Sequence, residues 1–144
     1  MHELVAITKA LADENRLRLL HACRDGERCA CQLVELLGLS GSTVSKHLSI
    51  LRAAGLLDSR RDGRWIHYRL PDEPIPAARD AIALALRHVA GTRRAQADAE
   101  RLGEILAMDP EVLCRMQRGE SCCPPASNPA EAAETRAAQG GVHA

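Results

Sequence analysis

Residues 40–70 read SGSTVSKHLSILRAAGLLDSRRDGRWIHYRL. Ser40 is placed to cap a helix over about 41–54, in which Val44, Leu48 and Leu51 recur at i, i+4 and i+7 and share one face. Gly55 stops that helix. Two strands follow, 56–61 and 64–70, around Asp62-Gly63, a dipeptide that favours a tight hairpin. Just upstream, CACQLVELL over 29–37 reads as a short helix, and Gly38 stands where a left-handed C-cap belongs. A helix pair joined by a three-residue turn and followed by a hairpin is the plan of a winged helix-turn-helix. The expected fold class is mainly α (α+β), with a two-stranded β-hairpin wing.

Helical patterns continue on both sides of this stretch. Residues 3–11 and 14–23 form two more, the second capped by Asp13. Residues 77–91 carry Ala78, Ile82, Leu86 and Val89 on one face, 94–108 carry Leu102, Ile105 and Leu106, and Pro110 opens a short turn up to about Arg118. From Gly119 on, prolines, alanines and Gly140-Gly141 leave no sustained apolar face, so 119–144 reads as a flexible tail. The expected organisation is a domain over 1–92, a helical extension over 93–118 and that tail.

Composition agrees with packed helices. The core has no Phe, one Trp and one Tyr to draw on, so it must be built from Leu, Ile, Val and Ala. No apolar run approaches the roughly 18–20 residues that span a membrane. The opening MHELVAITKALADENRLR lacks the apolar stretch of a signal peptide, which gives a cytoplasmic expectation. Six cysteines in that compartment read as thiols rather than as a disulfide framework. No phosphate loop, H-E-x-x-H or nucleophile–base pair is present, so an enzyme is not expected.

The second helix of the pair is the candidate DNA reader. With Val44, Leu48 and Leu51 turned inward, Ser42, Thr43, Ser45, Lys46 and Ser49 face outward, and the helix start has no acidic side chain. Small hydroxyl residues there approach phosphates and base edges closely, and Ser40 belongs to the same end. Residues 41–70 hold Lys46, Arg52, Arg60, Arg61, Arg64 and Arg69 against Asp58 and Asp62, a local positive excess on a chain of net charge zero. Arg64, at the hairpin tip, is placed to enter a minor groove or clamp a phosphate.

Cys29-Ala30-Cys31 is the candidate effector site. In a regular helix, residues i and i+2 lie about 200° apart, but at a helix start the backbone is free to turn both thiols to one side. The same position lowers a thiol pKa through the helix dipole. Such a dithiol suits a soft ion. Trivalent arsenic or antimony takes three sulfurs, and two suffice for weaker binding. Cys122, Cys123, Cys114 and Cys23 are the candidates for a third. Cys122 and Cys123 sit on the tail, whereas Cys114 and Cys23 lie on or near apolar helical faces, which favours structural roles for those two.

LADENRLRLLHAC, CACQLVELLGLS, STVSKHLSILRAAGLL and RRDGRWIHYRL, taken in order, resemble the arsenical-resistance repressor (ArsR/SmtB) family of metal-sensing transcription factors over roughly residues 5–90. The resemblance implies a homodimer with a helical interface between the first helix and the helix at 77–91, which places Leu4, Ile7, Ile82, Leu86 and Val89 at the seam. It also implies repression by binding a palindromic double-stranded operator, with no cofactor needed for DNA binding, and release by a metal. C-x-C is similar to the arsenite-responsive branch, ELCVCDLC, except that Val34 stands where that branch has its third Cys. Gly41 replaces a common Gln, and the Asp-x-His pair of zinc-sensing relatives is missing at Asp80. His47 is either a DNA contact, as the resemblance allows, or a hydrogen-bonded histidine at the edge of the core.

The expected function is a metalloid-responsive repressor released when As(III) or Sb(III) binds Cys29 and Cys31, with Cys122 and Cys123 as further candidate ligands. The alternatives are the same repressor sensing cadmium, lead, zinc, thiol oxidants or persulfides, and a metalloid-binding or protein-interaction module without DNA binding.

Overall fold

Two short polar caps set the architecture. Asp13 accepts from the backbone N–H of Arg16 (3.1 Å) and starts α2 (Glu14–Ala22), which follows α1 (His2–Leu11). Ser40 accepts from the N–H of Thr43 (3.3 Å) and starts α4 (Gly41–Ala53). Each satisfies a backbone donor that the first helical turn leaves without a partner. The computed structural model describes residues 1–117.

Between these caps lie β1 (Arg28–Cys29) and α3 (Ala30–Leu37). α3 ends at Gly38, whose φ of 65° is the left-handed conformation that glycine adopts without strain, and whose N–H closes on Val34 O at 3.0 Å. Gly38, Leu39 and Ser40 are the turn between α3 and α4. The wing is β2 (Asp58–Asp62) and β3 (Trp65–Arg69). Asp62 faces Trp65, so the two-residue loop is Gly63-Arg64, one position later than Asp62-Gly63. Gly63 takes φ 58° at the first loop position, the place a type II′ turn reserves for glycine.

The sheet differs from the expected two-stranded hairpin. β1 pairs antiparallel with β3, Cys29 opposite His67, to give a three-stranded order β1-β3-β2. Cys29 therefore belongs to a strand and caps α3 instead of lying within a helix over 29–37. A two-residue strand has no period to read; it exists because β3 offers it an open edge.

α5 (Pro76–Ala90), α6 (Arg93–Leu106) and α7 (Pro110–Met116) complete the chain, with Pro76 and Pro110 at first-turn positions where a missing N–H costs nothing. Leu19, Leu20, Leu33, Val44, Leu48, Leu51, Leu56 and Leu57 make one core with Ile105 of α6 and Leu113 of α7. Each such side chain contributes roughly 1.5–3 kcal/mol through burial. The extension is thus part of the same body: α6 packs on α2 and α3, and α7 on α3. Arg18 of α2 donates twice to the Asp98 carboxylate of α6 (2.8 and 2.9 Å), with both side chains nearly buried. No helix among the described residues is long and apolar enough to cross a membrane.

Candidate functional site

The outward face of α4 carries the side chains expected there. Val44, Leu48 and Leu51 are buried, while Ser42, Thr43, Ser45, Lys46 and Ser49 are exposed and Ser40 is partly so. Ser40 Oγ also lies 2.8 Å from Thr43 Oγ1 and 3.2 Å from Ser42 Oγ, so three hydroxyls cluster at the helix start. That end presents the positive pole of the helix and no acidic residue, a surface suited to a phosphate.

His47 faces the other way. Its Nδ1 accepts from the Arg16 guanidinium (3.3 Å) and lies 4.0 Å from Asp13, leaving 15% of the side chain exposed. This is the hydrogen-bonded edge-of-core arrangement. Arg16 also donates to Ala10 O (2.6 Å) and Lys9 O (3.0 Å), so one guanidinium closes the end of α1 and steadies α4.

The basic side chains divide into two groups. Arg60 donates to both oxygens of Glu27 (2.9 and 2.8 Å), and that hydrogen bond holds the Glu27 carboxyl below its usual range. Arg69 meets Asp72 at 2.9 Å. Arg64 stacks over Trp65 (4.8 Å) and pairs with Glu111 of α7. Lys46, Arg52 and Arg61 are exposed and carry no ion pair among the described residues. Within residues 41–70, the charge available to a polyanion is therefore on α4 and the outer strand of the wing.

The thiols lie behind this surface. Cys29 and Cys31 flank the start of α3, both buried. Cys29 and Gln32 form a reciprocal capping box, in which the thiol receives the Gln32 N–H and Gln32 Oε1 accepts from the Cys29 N–H at 2.9 Å. Cys29 also lines an open cavity of about 450 Å³, with Gln32, Trp65, His67 and the residues Asp109, Pro110 and Glu111 that open α7. Cys31 is joined in a disulfide to Cys114 of α7, with Cα atoms 5.9 Å apart. Cys23 is buried, and burial pushes its thiol up to about 12, which keeps it protonated and unreactive. No group of three or more His, Cys, Asp or Glu among the described residues is arranged to hold an ion.

Residues 13–59, from the cap of α2 into β2, match the model of the bacterial regulatory protein arsR family. The HTH-type transcriptional regulator CmtR of Mycobacterium bovis is 35% identical over 118 residues, covering 82% of this chain and 84% of that protein.

The chain belongs to the arsR family.

The Arsenic resistance transcriptional regulator ArsR1 of Pseudomonas putida is 46% identical over 77 residues, which cover 53% of this chain and 59% of that relative. Among solved structures, the homodimeric winged helix-turn-helix DNA-binding domain Mb0332 of Mycobacterium bovis, a possible ArsR-family regulator, superposes with a TM-score of 0.53 at 27% identity, covering 60-odd per cent (64%) of this chain and 83% of that one. Family and fold are those of DNA-binding transcription regulators, not of enzymes.

Within this arsR-family fold, the residues singled out from sequence fall in three places. The α4 hydroxyls and Lys46 share one face with Arg52 further along the helix, and Arg61 lies on the wing. Leu4 is exposed and Leu86 and Val89 are half-buried, but Ile7 and Ile82 are buried within the protomer's own core and leave nothing for a partner to cover. Val5 and Leu84 are the exposed apolar neighbours on α1 and α5. Cys122 and Cys123 lie outside the described residues. Sequence reasoning kept Cys114 among the candidate third ligands while favouring a structural role for it, and missed the contacts of Glu27, Glu111 and Gln117.

Proposed function

We propose that this arsR-family regulator is an operator-binding repressor that acts as a homodimer and is released when trivalent arsenic or antimony binds Cys29 and Cys31. The observation that carries the reading is their position: the two cysteines bracket the start of α3, the first helix of the helix-turn-helix, whose other end joins α4 through a three-residue turn. Exposed Leu4, Val5 and Leu84 on α1 and α5 support a dimer seam, and two α4 helices then meet successive major grooves of a palindromic site about 10 bp apart. The name of the Pseudomonas putida relative supports the choice of effector. No cofactor is needed for DNA binding, and the site of action is the cytoplasm.

Release follows from the cap. The Cys29 thiol that receives the Gln32 N–H is also a ligand, so drawing its sulfur onto a metalloid removes that contact and loosens the first turn of α3. A coupling of about 1–3 kcal/mol lowers operator affinity about 5–150-fold.

The test uses fluorescent DNA from upstream of this protein's own gene and fully reduced protein, titrated in turn with arsenite, antimonite, cadmium and zinc. Release by the two metalloids and not by zinc is expected. Full metalloid response in a Cys29→Ser, Cys31→Ser double variant overturns the reading.

The Cys31–Cys114 bond favours a second reading, in which a thiol oxidant is the signal. Mass spectrometry after mild oxidation separates the two: a loss of two hydrogens, reversed by thiols and accompanied by loss of operator affinity, supports redox sensing.

A further inference from the structure

We propose that Cys114 of α7 supplies the third sulfur of the metalloid site, and that closing this site clamps α7 onto the wing so that Glu111 withdraws Arg64 from DNA. The inference rests on the metalloid reading above and names its missing ligand.

Trivalent arsenic takes three sulfurs, and the contiguous sequence offers two. Val34, three residues after Cys31 on α3, carries no sulfur and is buried in the core. Cys23 is sealed in the core as well. Cys114 is distant in sequence, 83 residues from Cys31, yet its sulfur reaches the Cys31 sulfur. Its helix is held there by two further contacts: Leu113 is fully buried in the common core, and Gln117 Nε2 donates to the Cys31 carbonyl at 3.1 Å. Cys29 opens on the cavity whose far wall is Asp109, Pro110 and Glu111. Cys114 stands one turn beyond Pro110, on the same side of α7. Two sulfurs at the start of α3 and one on α7 therefore lie along the packing of α3 against α7, and the cavity opens beside Cys29.

The chemistry balances without change of oxidation state at arsenic. A low-molecular-weight thiol reductant first opens the Cys31–Cys114 bond, giving two protein thiols and a reductant disulfide. Arsenous acid then exchanges its three hydroxyls for three thiolates: three As–S bonds form, three As–O bonds break, and the three thiol protons leave in three waters. The disulfide and the arsenic adduct use the same two sulfurs, so each excludes the other while both hold α7 in place.

The output lies three residues before Cys114. Glu111 pairs with Arg64 at the wing tip. With α7 tied down, that carboxylate competes with a phosphate for the same guanidinium, and its negative charge stands beside the DNA path. Without a sulfur link, Leu113 and Gln117 still anchor α7, but its first turn is no longer tied to α3 and Arg64 exchanges between Glu111 and the operator.

The experiment uses the full reduced chain and arsenite. Wild-type protein and a Cys122→Ser, Cys123→Ser variant are expected to lose three titratable thiols per arsenic bound. Cys114→Ser is expected to lose two, to bind arsenite at least about tenfold more weakly, since one of three linked contacts is gone, and to bind operator normally without arsenite, which shows that it is folded. Glu111→Gln is expected to keep all three thiols in the site while needing about two- to fivefold more arsenite for release, the scale of an exposed ion pair. Alkylation mapping of the wild-type protein gives the same answer without a variant: arsenite protects Cys29, Cys31 and Cys114 and leaves Cys122 and Cys123 reactive. Three thiols lost in Cys114→Ser at wild-type affinity, or protection of Cys122 or Cys123 in place of Cys114, overturns the assignment and leaves the repressor reading standing. Wild-type protein that binds no arsenite overturns both.

Discussion

α4 and α3 are adjacent helices of one motif, yet they are finished in different ways. α4 is started and docked from its own sequence: Ser40 caps it, Val44, Leu48 and Leu51 face the core, and Ser42, Thr43, Ser45, Lys46 and Ser49 are left exposed. α3 is completed from outside. Its cap is a thiol, its strand β1 needs the edge of β3, and its buried Cys31 is met by a helix 83 residues away. The exposed face of α4 is thus locally encoded, while the cysteine end of α3 depends on long-range contacts that one chemical event can make or break.

Four changes break or sharpen this contrast. Asp98→Ala should have the largest effect. It leaves the nearly buried Arg18 without its carboxylate and unlatches α6 from α2. A loss of about 3–5 kcal/mol is expected in urea unfolding. A loss below about 1 kcal/mol would mean that the extension is an appendage and not part of the body.

Lys46→Ala should leave stability alone and weaken operator binding by about 1.5 kcal/mol, with the salt slope of binding reduced by about one. An unchanged slope would take Lys46 off the phosphate path. Ser40→Ala removes the α4 cap and should cost about 1 kcal/mol of stability, read from the shift of the denaturation midpoint.

The smallest effect concerns His21, buried at the end of α2. Burial first, and then Arg24, lower its pKa below the ordinary value. The unfolded chain therefore takes up a proton before the folded one does. The stability His21 contributes is present above its unfolded pKa, near 6.5, and is lost as pH falls through its lower folded value. His21→Gln should flatten the stability profile on the acid side of neutrality, followed by denaturation at stepped pH. A profile as steep as wild type would assign the acid sensitivity to other groups.

How much could be read beforehand follows the same division. Asp13, Ser40, Gly38 and Pro110 were legible because a cap or a first-turn proline acts on backbone within four residues of itself. The apolar stripe of α4 was legible because a helix repeats at a fixed angle. The hairpin was legible to within one residue, since Asp62-Gly63 and Gly63-Arg64 share the glycine that turns the chain. His47 was not decided by its position in α4, because Arg16 and Asp13 of another helix turn its ring inward. Ile7 and Ile82 share faces with exposed neighbours, and only packing showed which of them the protomer keeps for itself.

The sequence by itself determined the helix-turn-helix, the outward hydroxyls and lysine of α4, and the pair Cys29 and Cys31, because each depends on spacing within one segment. Tertiary structure alone decided three things. It spent Arg60 on Glu27 and Arg64 on Glu111, it gave Cys29 a strand partner, and it brought Cys114 to Cys31. The physical reason is common to all three. Each joins groups far apart in the chain, and the packing of Ile105 and Leu113 into the common core, which carries α6 and α7 onto α3, belongs to no local pattern.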